Sequence, residues 1–506
     1  MLGVARGLAA SGTAVIAFFV AAVLPTATWP LIDGDVWWHL RAGEQILATG
    51  VVPRFDTWSI PSQGIEWISQ DWLTNTAMAA VRGIGHLGQT ALSFMFGLVV
   101  VAAFAVLWRT IGVRNPAVPW AWRIVWLTVG LILAAPILGV RVQIIDLLLS
   151  AIVVWLLAHY VDDRRRRWLV ALPVVAAAWA NLHAGWPMLF LLGGALLVGE
   201  TVDRRWRRSG TPEPLAVGEL RDLAVALVVA FAALALNPNG AALWIYPLNA
   251  IGNSVIDRYI IEWFPVTTNL RLLGLYIGFI VVAVVPTLAL VRRGLRMADA
   301  LVVIGLMLMP LFAVRFLFLT GPLIVVIAAA TLAPDLAISR FGRWAQPKLD
   351  ALTMPREGRL LLAHLALAAG LVMLGGGVAL ARVTPPVQAA AEEAGFPLHA
   401  VAWLEAEDLG DRAFNRYEWG GYLIHERPDR LVFIDGRAQD VYTDELLTLY
   451  AAIISVQIDP QPQLDRYEID HVVFQAGSEL GAWLDASPDW ERAYADSVAV
   501  IWVRSR

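Results

Sequence analysis

The sequence predicts a polytopic α-helical membrane protein of about 11 spans, followed by a small C-terminal α/β domain on the extracytoplasmic side. Three observations carry this. Of 506 residues, 58% are hydrophobic and only 16% charged, mean hydropathy is positive, and long uncharged apolar runs recur. Arginine-rich connections alternate with short connections that hold isolated polar residues. Past Arg382 the apolar runs give way to short alternating segments.

In chain order, spans are placed near residues 8–30, 87–108, 123–140, 143–160, 168–182, 186–199, 222–237, 271–291, 297–314, 316–334 and 360–381. The first run is too long for a signal peptide and ends without a small-x-small cleavage site, so it is read as an uncleaved span. Several segments fall short of about 20 residues and could be half-spans. Orientation comes from the loops. Arg109, Arg114 and Arg123 share one connection, Arg164 to Arg167 the next on that side, and Arg204, Arg205, Arg207 and Arg208 the third. Arg292, Arg293 and Arg296, then Arg340, Arg343, Lys348, Arg356 and Arg359, continue the series. The positive-inside rule makes these loops and the N-terminus cytoplasmic. Residues 31–86 and the segment after about 382 are then external to the cytoplasmic (inner) membrane, giving a membrane domain 1–381 and an extracytoplasmic domain 382–506.

Composition also excludes chemistries. With no cysteine there is no disulfide, thiolate metal site or thiol nucleophile. No Walker-type loop, Gly-x-Ser-x-Gly elbow or His-Glu-x-x-His helix occurs, which argues against an ATP-driven pump or a zinc peptidase. The net charge of -4 is small, and no nucleic-acid partner is expected. The 23 tryptophans suit two interfacial belts and an amphipathic external loop.

The first external loop, 31–86, is longer than a helix connection requires and opens on Asp33-Gly34-Asp35-Val36-Trp37-Trp38-His39. In an extended turn residues i and i+2 point to one side, so Asp33 and Asp35 could meet one divalent cation, Mg or Mn, or one polar substrate. A helix starting at Asp35 sets His39 one turn along the same face, and Val36–Leu47 has amphipathic spacing suited to an interface. The local alternative is that Asp33 or Asp35 caps that helix. Asp56, Glu66 and Asp71 follow as further acidic candidates, with solvated loop charges or caps as their local alternative.

The other external connections hold Arg141, Gln143 and Asp146, then Asn181 and His183, Asn237-Pro238-Asn239-Gly240, Glu262-Trp263, and Arg315. An ionisable group at the centre of a spanning helix costs about 2.5 to 3.5 kcal/mol on insertion scales, so it normally faces a polar cavity or a partner. Singly, each could snorkel to the interface or form a local salt bridge. Together they stand on the side of Asp33 and Asp35, as one outward-opening polar cavity would require.

In the C-terminal segment, Leu431–Ile434, His471–Phe474 and Val498–Val503 pattern as strands, and Asp444–Ile453 and Glu479–Asp485 as helices. Asp435-Gly436-Arg437 ends the first strand. Residues at carboxyl ends of strands often line ligand crevices, which makes Asp435 and Arg437 candidates. The alternative is an Asp-Gly turn in which Arg437 pairs with Asp435.

An acidic motif in a long first external loop, many spans and a C-terminal extracytoplasmic domain resemble the GT-C superfamily of polyprenol-dependent glycosyltransferases. The stretch DGDVWWHLRAGEQILATGVVPRFDTWS, WANLH at 179–183, Glu262-Trp263, Arg315 and EWGGYLIHERPDRLVFIDGRA are similar to a bacterial group of such proteins. One departure matters. Protein mannosyltransferases and aminoarabinose transferases usually carry adjacent acids, whereas here the acids flank Gly34, closer to the Asp-x-Asp pattern of oligosaccharyltransferases, whose further motifs are missing.

The resemblance implies hexosyl or pentosyl transfer from a polyprenyl-phosphate sugar to a lipid, glycan or protein acceptor, with the lipid between spans and no nucleotide site. Asp35, or else Asp33, would be the general base. Arg141 and Arg315 would stabilise the departing phosphate, with help from a cation on Asp33 and Asp35. His39, Asn181, His183 and Glu262 would orient sugar or acceptor, with Gln143, Asp56, Glu66, Asp435 and Arg437 as further binding candidates. The rival class is a transporter or lipid flippase using the same polar cavity.

Overall fold

The computed structural model describes residues 16–208, 210–250, 261–353, 359–407 and 409–505. Residues 8–15 of the first expected span, the N-terminus and Arg356 lie outside them. Each of the eleven expected segments carries helix. Among the described residues, six helices are long and apolar enough to cross a membrane: Gly85–Arg114, Trp120–Ile137, Ile144–Asp163, Leu270–Arg293, Val314–Ala333 and Leu365–Gly395. Ile16–Ala27, Arg167–Leu182 and Met297–Phe312 are shorter apolar helices. The chain divides into two compact units: one of residues 1–28, 94–237 and 262–382, the other of residues 29–93, 238–261 and 383–506.

The first unit is helical and packs where side chains are small. A Cβ on Gly130 would lie 2.9 Å from Pro322 Cα, so the helices Trp120–Ala134 and Leu317–Ile338 meet backbone to backbone. Without a hydrophobic drive between helices in lipid, such close approach is what supplies contact. Pro173 and Pro310 lie inside the helices Arg167–Leu182 and Met297–Phe312. At the arginine-rich ends, Arg296 pairs with the fully buried Glu200 at 2.5 Å, and Arg114 with Asp299 at 2.6 Å.

The second unit is built on a five-stranded sheet. Its strands are β1 (Arg412–Asn415), β2 (Leu431–Val432), β3 (His471–Gln475), β4 (Trp490–Ala495) and β5 (Ala499–Arg504), in the order β2-β1-β3-β5-β4. β1 runs parallel to β2 and β3, and β5 pairs antiparallel with β3 and β4. Val472, Val473 and Phe474 in β3 are buried, as expected of a strand covered on both faces. The segment Trp58–Ile60 extends this sheet. Ile60 N donates to Val432 O at 2.8 Å and Val432 N to Trp58 O at 3.0 Å, pairing that segment with the free edge of β2.

The sequence reading places three strands where there are five. β1 has only four residues with polar ends, and β4, Trp-Glu-Arg-Ala-Tyr-Ala, is an edge whose middle is exposed, so neither carries an apolar run. β2 is shorter than expected, at two residues, because Asn415 takes over the pairing beyond it: its Oδ1 accepts from Phe433 N at 2.8 Å and its Nδ2 donates to Ile434 O at 2.8 Å.

Candidate active site

In the second unit the helix Asp35–Thr49 begins at the acidic motif and ends at Gly50, whose φ of 70° and N–H donation to Ile46 O make a left-handed cap. Asp33 Oδ1 accepts from Asp35 N at 2.9 Å, so Asp33 serves the helix start while remaining half-buried. Asp35 is exposed, and its Oδ1 accepts from the Trp38 indole N–H at 3.3 Å. A Cβ on Gly436 would collide with that same oxygen.

The approach is made by glycines. A Cβ on Gly34 would collide with Glu418 O, one on Gly421 would lie 3.2 Å from the Trp38 ring, and one on Gly420 would strike Ile434 O. Gly421 thus lets the helix Gly420–Glu426 meet the helix Asp35–Thr49, and Gly420 lets it meet the Ile434–Asp435 segment. Trp37 seals the contact, wholly buried and edge-on to Tyr422 at 4.9 Å and to His425 at 5.3 Å between ring centroids.

His39 is buried one turn from Asp35. Its Nδ1 lies 2.8 Å from Asn75 Oδ1 and 3.0 Å from Asp71 Oδ2, and its ring lies against Trp38, tilted by 32° with centroids 3.5 Å apart. It therefore braces the Trp38 indole that holds Asp35. Asp56, Asp435 and Arg437 are also buried. Arg437 donates to Asp435 at 2.8 and 2.7 Å and to Asp56 at 2.8 Å, and its guanidinium lies over the rings of Trp58 and Trp67. Tyr442 OH donates to Asp435 Oδ2 at 2.6 Å. Burial alone would raise the Asp435 pKa, but the Arg437 charge and these hydrogen bonds hold it below the usual carboxylate value. In this conformation the three residues face one another rather than a ligand. Glu66 is exposed, in a bridge with Phe55.

In the first unit, Arg141 forms an ion pair with Glu262, which sits in the turn Ile261–Trp263. Arg315, in the turn Val314–Phe316, lies over the Trp263 ring at 4.8 Å, and Val314 N donates to Phe264 O at 2.8 Å. The Glu262-Trp263 pair thus orients both half-buried arginines. Asp146 accepts from the Trp179 indole at 2.8 Å and meets His183 Nδ1 at 2.8 Å. Asn181 donates to Ala177 O and Leu236 O, and Gln143 stands at the start of the helix Ile144–Asp163. Sequence reasoning missed Trp38 and Asn415 as site-building residues. Only the tryptophan's i+3 spacing from Asp35 signalled its reach.

Among the described residues no group of three or more His, Asp or Glu could hold a metal. Of the two acids at the helix start, Asp33 Oδ1 accepts from Asp35 N and Asp35 Oδ1 from the Trp38 indole.

No family model and no curated protein sequence matches the chain. Solved structures do. The archaeal oligosaccharyltransferase AglB from Archaeoglobus fulgidus, in complex with an inhibitory peptide and a dolichol-phosphate, aligns at a TM-score of 0.57 and 12% identity over 93% of this chain and 69% of that one. ArnT from Cupriavidus metallidurans in the apo state aligns at 0.51 and 16%, over 97% and 96%. The chain has the GT-C fold. ArnT bound to undecaprenyl phosphate gives 0.50 and 14% over 97% of both chains. A further Archaeoglobus oligosaccharyltransferase structure, a complex with Zn and sulfate, gives 0.51 and 12%. The resemblance drawn from the sequence holds at the level of the GT-C fold, which is that of membrane proteins.

Proposed function

We propose that this protein is a membrane glycosyltransferase that moves a sugar from a polyprenyl-phosphate donor to an acceptor hydroxyl on the outer side of the cytoplasmic membrane. The observation that carries the reading is Asp35. In a chain with the GT-C fold, an exposed carboxylate opens a helix and is held by Trp38 and packed against Gly436. Folding a membrane anchor does not require this, and Asp35 is geometrically suited to accept a proton. The dolichol-phosphate and undecaprenyl phosphate carried by structures of the same fold support a lipid-phosphate ligand.

Asp35 takes the proton from the acceptor hydroxyl as its oxygen attacks the anomeric carbon. The bond from that carbon to the phosphate oxygen breaks, and negative charge grows on the departing polyprenyl phosphate. The resemblance drawn from the sequence gives the stabilisation of that charge to Arg141 and Arg315, which within their own unit are held by Glu262 and Trp263. Asp33 fixes the backbone at the helix start and, with Asp35, would hold a divalent cation that adds positive charge near the phosphate. Asp56, Asp435 and Arg437 position the Asp435-Gly436 segment against Asp35. The test is release of polyprenyl phosphate by wild type and Asp35→Asn, with and without divalent metal.

A further inference from the structure

The second unit holds a cavity of about 490 Å³ that the catalytic reading does not use. Its place follows from topology. From β1 the chain passes to β2 on one side, then returns to lay β3 on the other side of β1. Connections leaving the carboxyl ends of β1 and β3 therefore diverge, and in open α/β sheets ligands bind in the crevice this opens. The cavity lies there. Tyr417 and Glu418 follow β1, Gln475, which ends β3, and Glu479 follow on the other side, and the helix Asp444–Ile454 supplies Tyr450 and Ala451. The volume falls within the roughly 300–1,000 Å³ of small-molecule sites.

The lining selects the ligand. Its interior is apolar and aromatic, with Ile434, Tyr450 and Phe474 buried. The rim carries Glu418, Glu479 and the Gln475 amide against a single cation, Arg416, which pairs with Glu418 at 2.8 Å. Glu479 also occupies the first turn of the helix Glu479–Ala486, where an anion would otherwise be favoured. A nucleotide or other phosphate is thus opposed by two carboxylates. A neutral saccharide fits both parts, since its C–H face matches the apolar interior and its hydroxyls donate to carboxylate and amide oxygens. The turn Tyr417–Trp419 that borders the cavity also sets Glu418 O against Gly34, between Asp33 and Asp35.

We propose that this crevice binds a neutral saccharide and presents it to Asp35 as the acceptor. The acceptor role rests on the glycosyltransferase reading above; the binding site does not. The experiment uses the full-length protein in detergent and native mass spectrometry, with neutral di- and trisaccharides of glucose, galactose, mannose and N-acetylglucosamine as probes. An uncharged peptide and ATP serve as competitors from other classes. Ser455→Trp fills the cavity wall, and Glu479→Ala removes an exposed rim acceptor without disturbing the core. The proposal expects at least one saccharide to bind, and both variants to bind it about tenfold more weakly. It also expects both variants to keep the hydrolysis of a polyprenyl-phosphate sugar. No saccharide binding to wild type, binding unchanged in Glu479→Ala, or binding of the peptide or ATP abolished by Ser455→Trp would each overturn it. If saccharide binding depends on the crevice while the wild type releases no polyprenyl phosphate, the site stands and the acceptor role falls.

Discussion

Arg437 Nη1 donates to Asp56 Oδ1 at 2.8 Å across 381 positions of sequence, with both side chains fully buried. This contact ties the segment that carries Asp56 to the strand-end turn that carries Gly436, and Gly436 in turn lies against Asp35. The candidate base is therefore positioned by residues from both ends of the chain. Removing one partner leaves a buried charge uncompensated, a loss of about 3–5 kcal/mol. Arg437→Met should lower the unfolding temperature of the purified protein markedly. Combined with Asp56→Asn it should cost less than the sum of the single changes, which a double-mutant cycle measures.

Gly436→Ala tests the positioning itself. The added methyl collides with Asp35 Oδ1 and must push the carboxylate aside. Displacement of a reacting group by about 1 Å can cost on the order of 10²-fold in rate. The variant should lose about that much donor turnover with its unfolding temperature nearly unchanged. Equal loss of turnover and of folded protein would point instead to a packing role.

The arginines make a separate prediction. If Arg141 and Arg315 stabilise the leaving phosphate, Arg315→Gln should lower kcat by about 10²–10³-fold, the usual cost of one charge-stabilising donor. KM for the donor should change far less. Glu262→Gln should fall between the two, because it frees Arg141 without removing it.

Stability should depend on pH with a definite sign. His425 lies 2.7 Å from Glu426 and 3.2 Å from Glu44; burial opposes its charge, but the two carboxylates outweigh burial and push its pKa up to about 9 from 6.5. A raised folded pKa gives stability that is fully present below pH 6.5 and lost as pH rises through about 9. His471 works in the other sense. Burial first, then Arg427 and Arg430, push it down to about 3, so its contribution is lost as pH falls below 6.5. The unfolding temperature should decline on both sides, and His425→Gln should flatten only the alkaline limb. An alkaline limb unchanged by that variant would contradict the assignment.

The helices were legible because long apolar runs and arginine-rich loops repeat along the chain, Asp444–Ile454 because its spacing is amphipathic, and β3 because its apolar run is short and continuous. The edge strand β4 carries no such pattern, and β1 is too short to show one. At the site, the charged residues stood out one by one, but their pairing did not. Nothing near Asp56 announces Arg437, and nothing near His39 distinguishes a residue facing a ligand from one buried with Asp71 and Asn75. Gly34, Gly421 and Gly436 show the same limit: their meaning is the close approach of segments far apart in sequence.

The most direct measurement is release of polyprenyl phosphate from a panel of polyprenyl-phosphate sugars by the purified protein, comparing wild type with Asp35→Asn. The account predicts release by wild type and a loss of about 10²–10⁴-fold in the variant, the usual contribution of a general base. Donor turnover that Asp35→Asn leaves unchanged would contradict it.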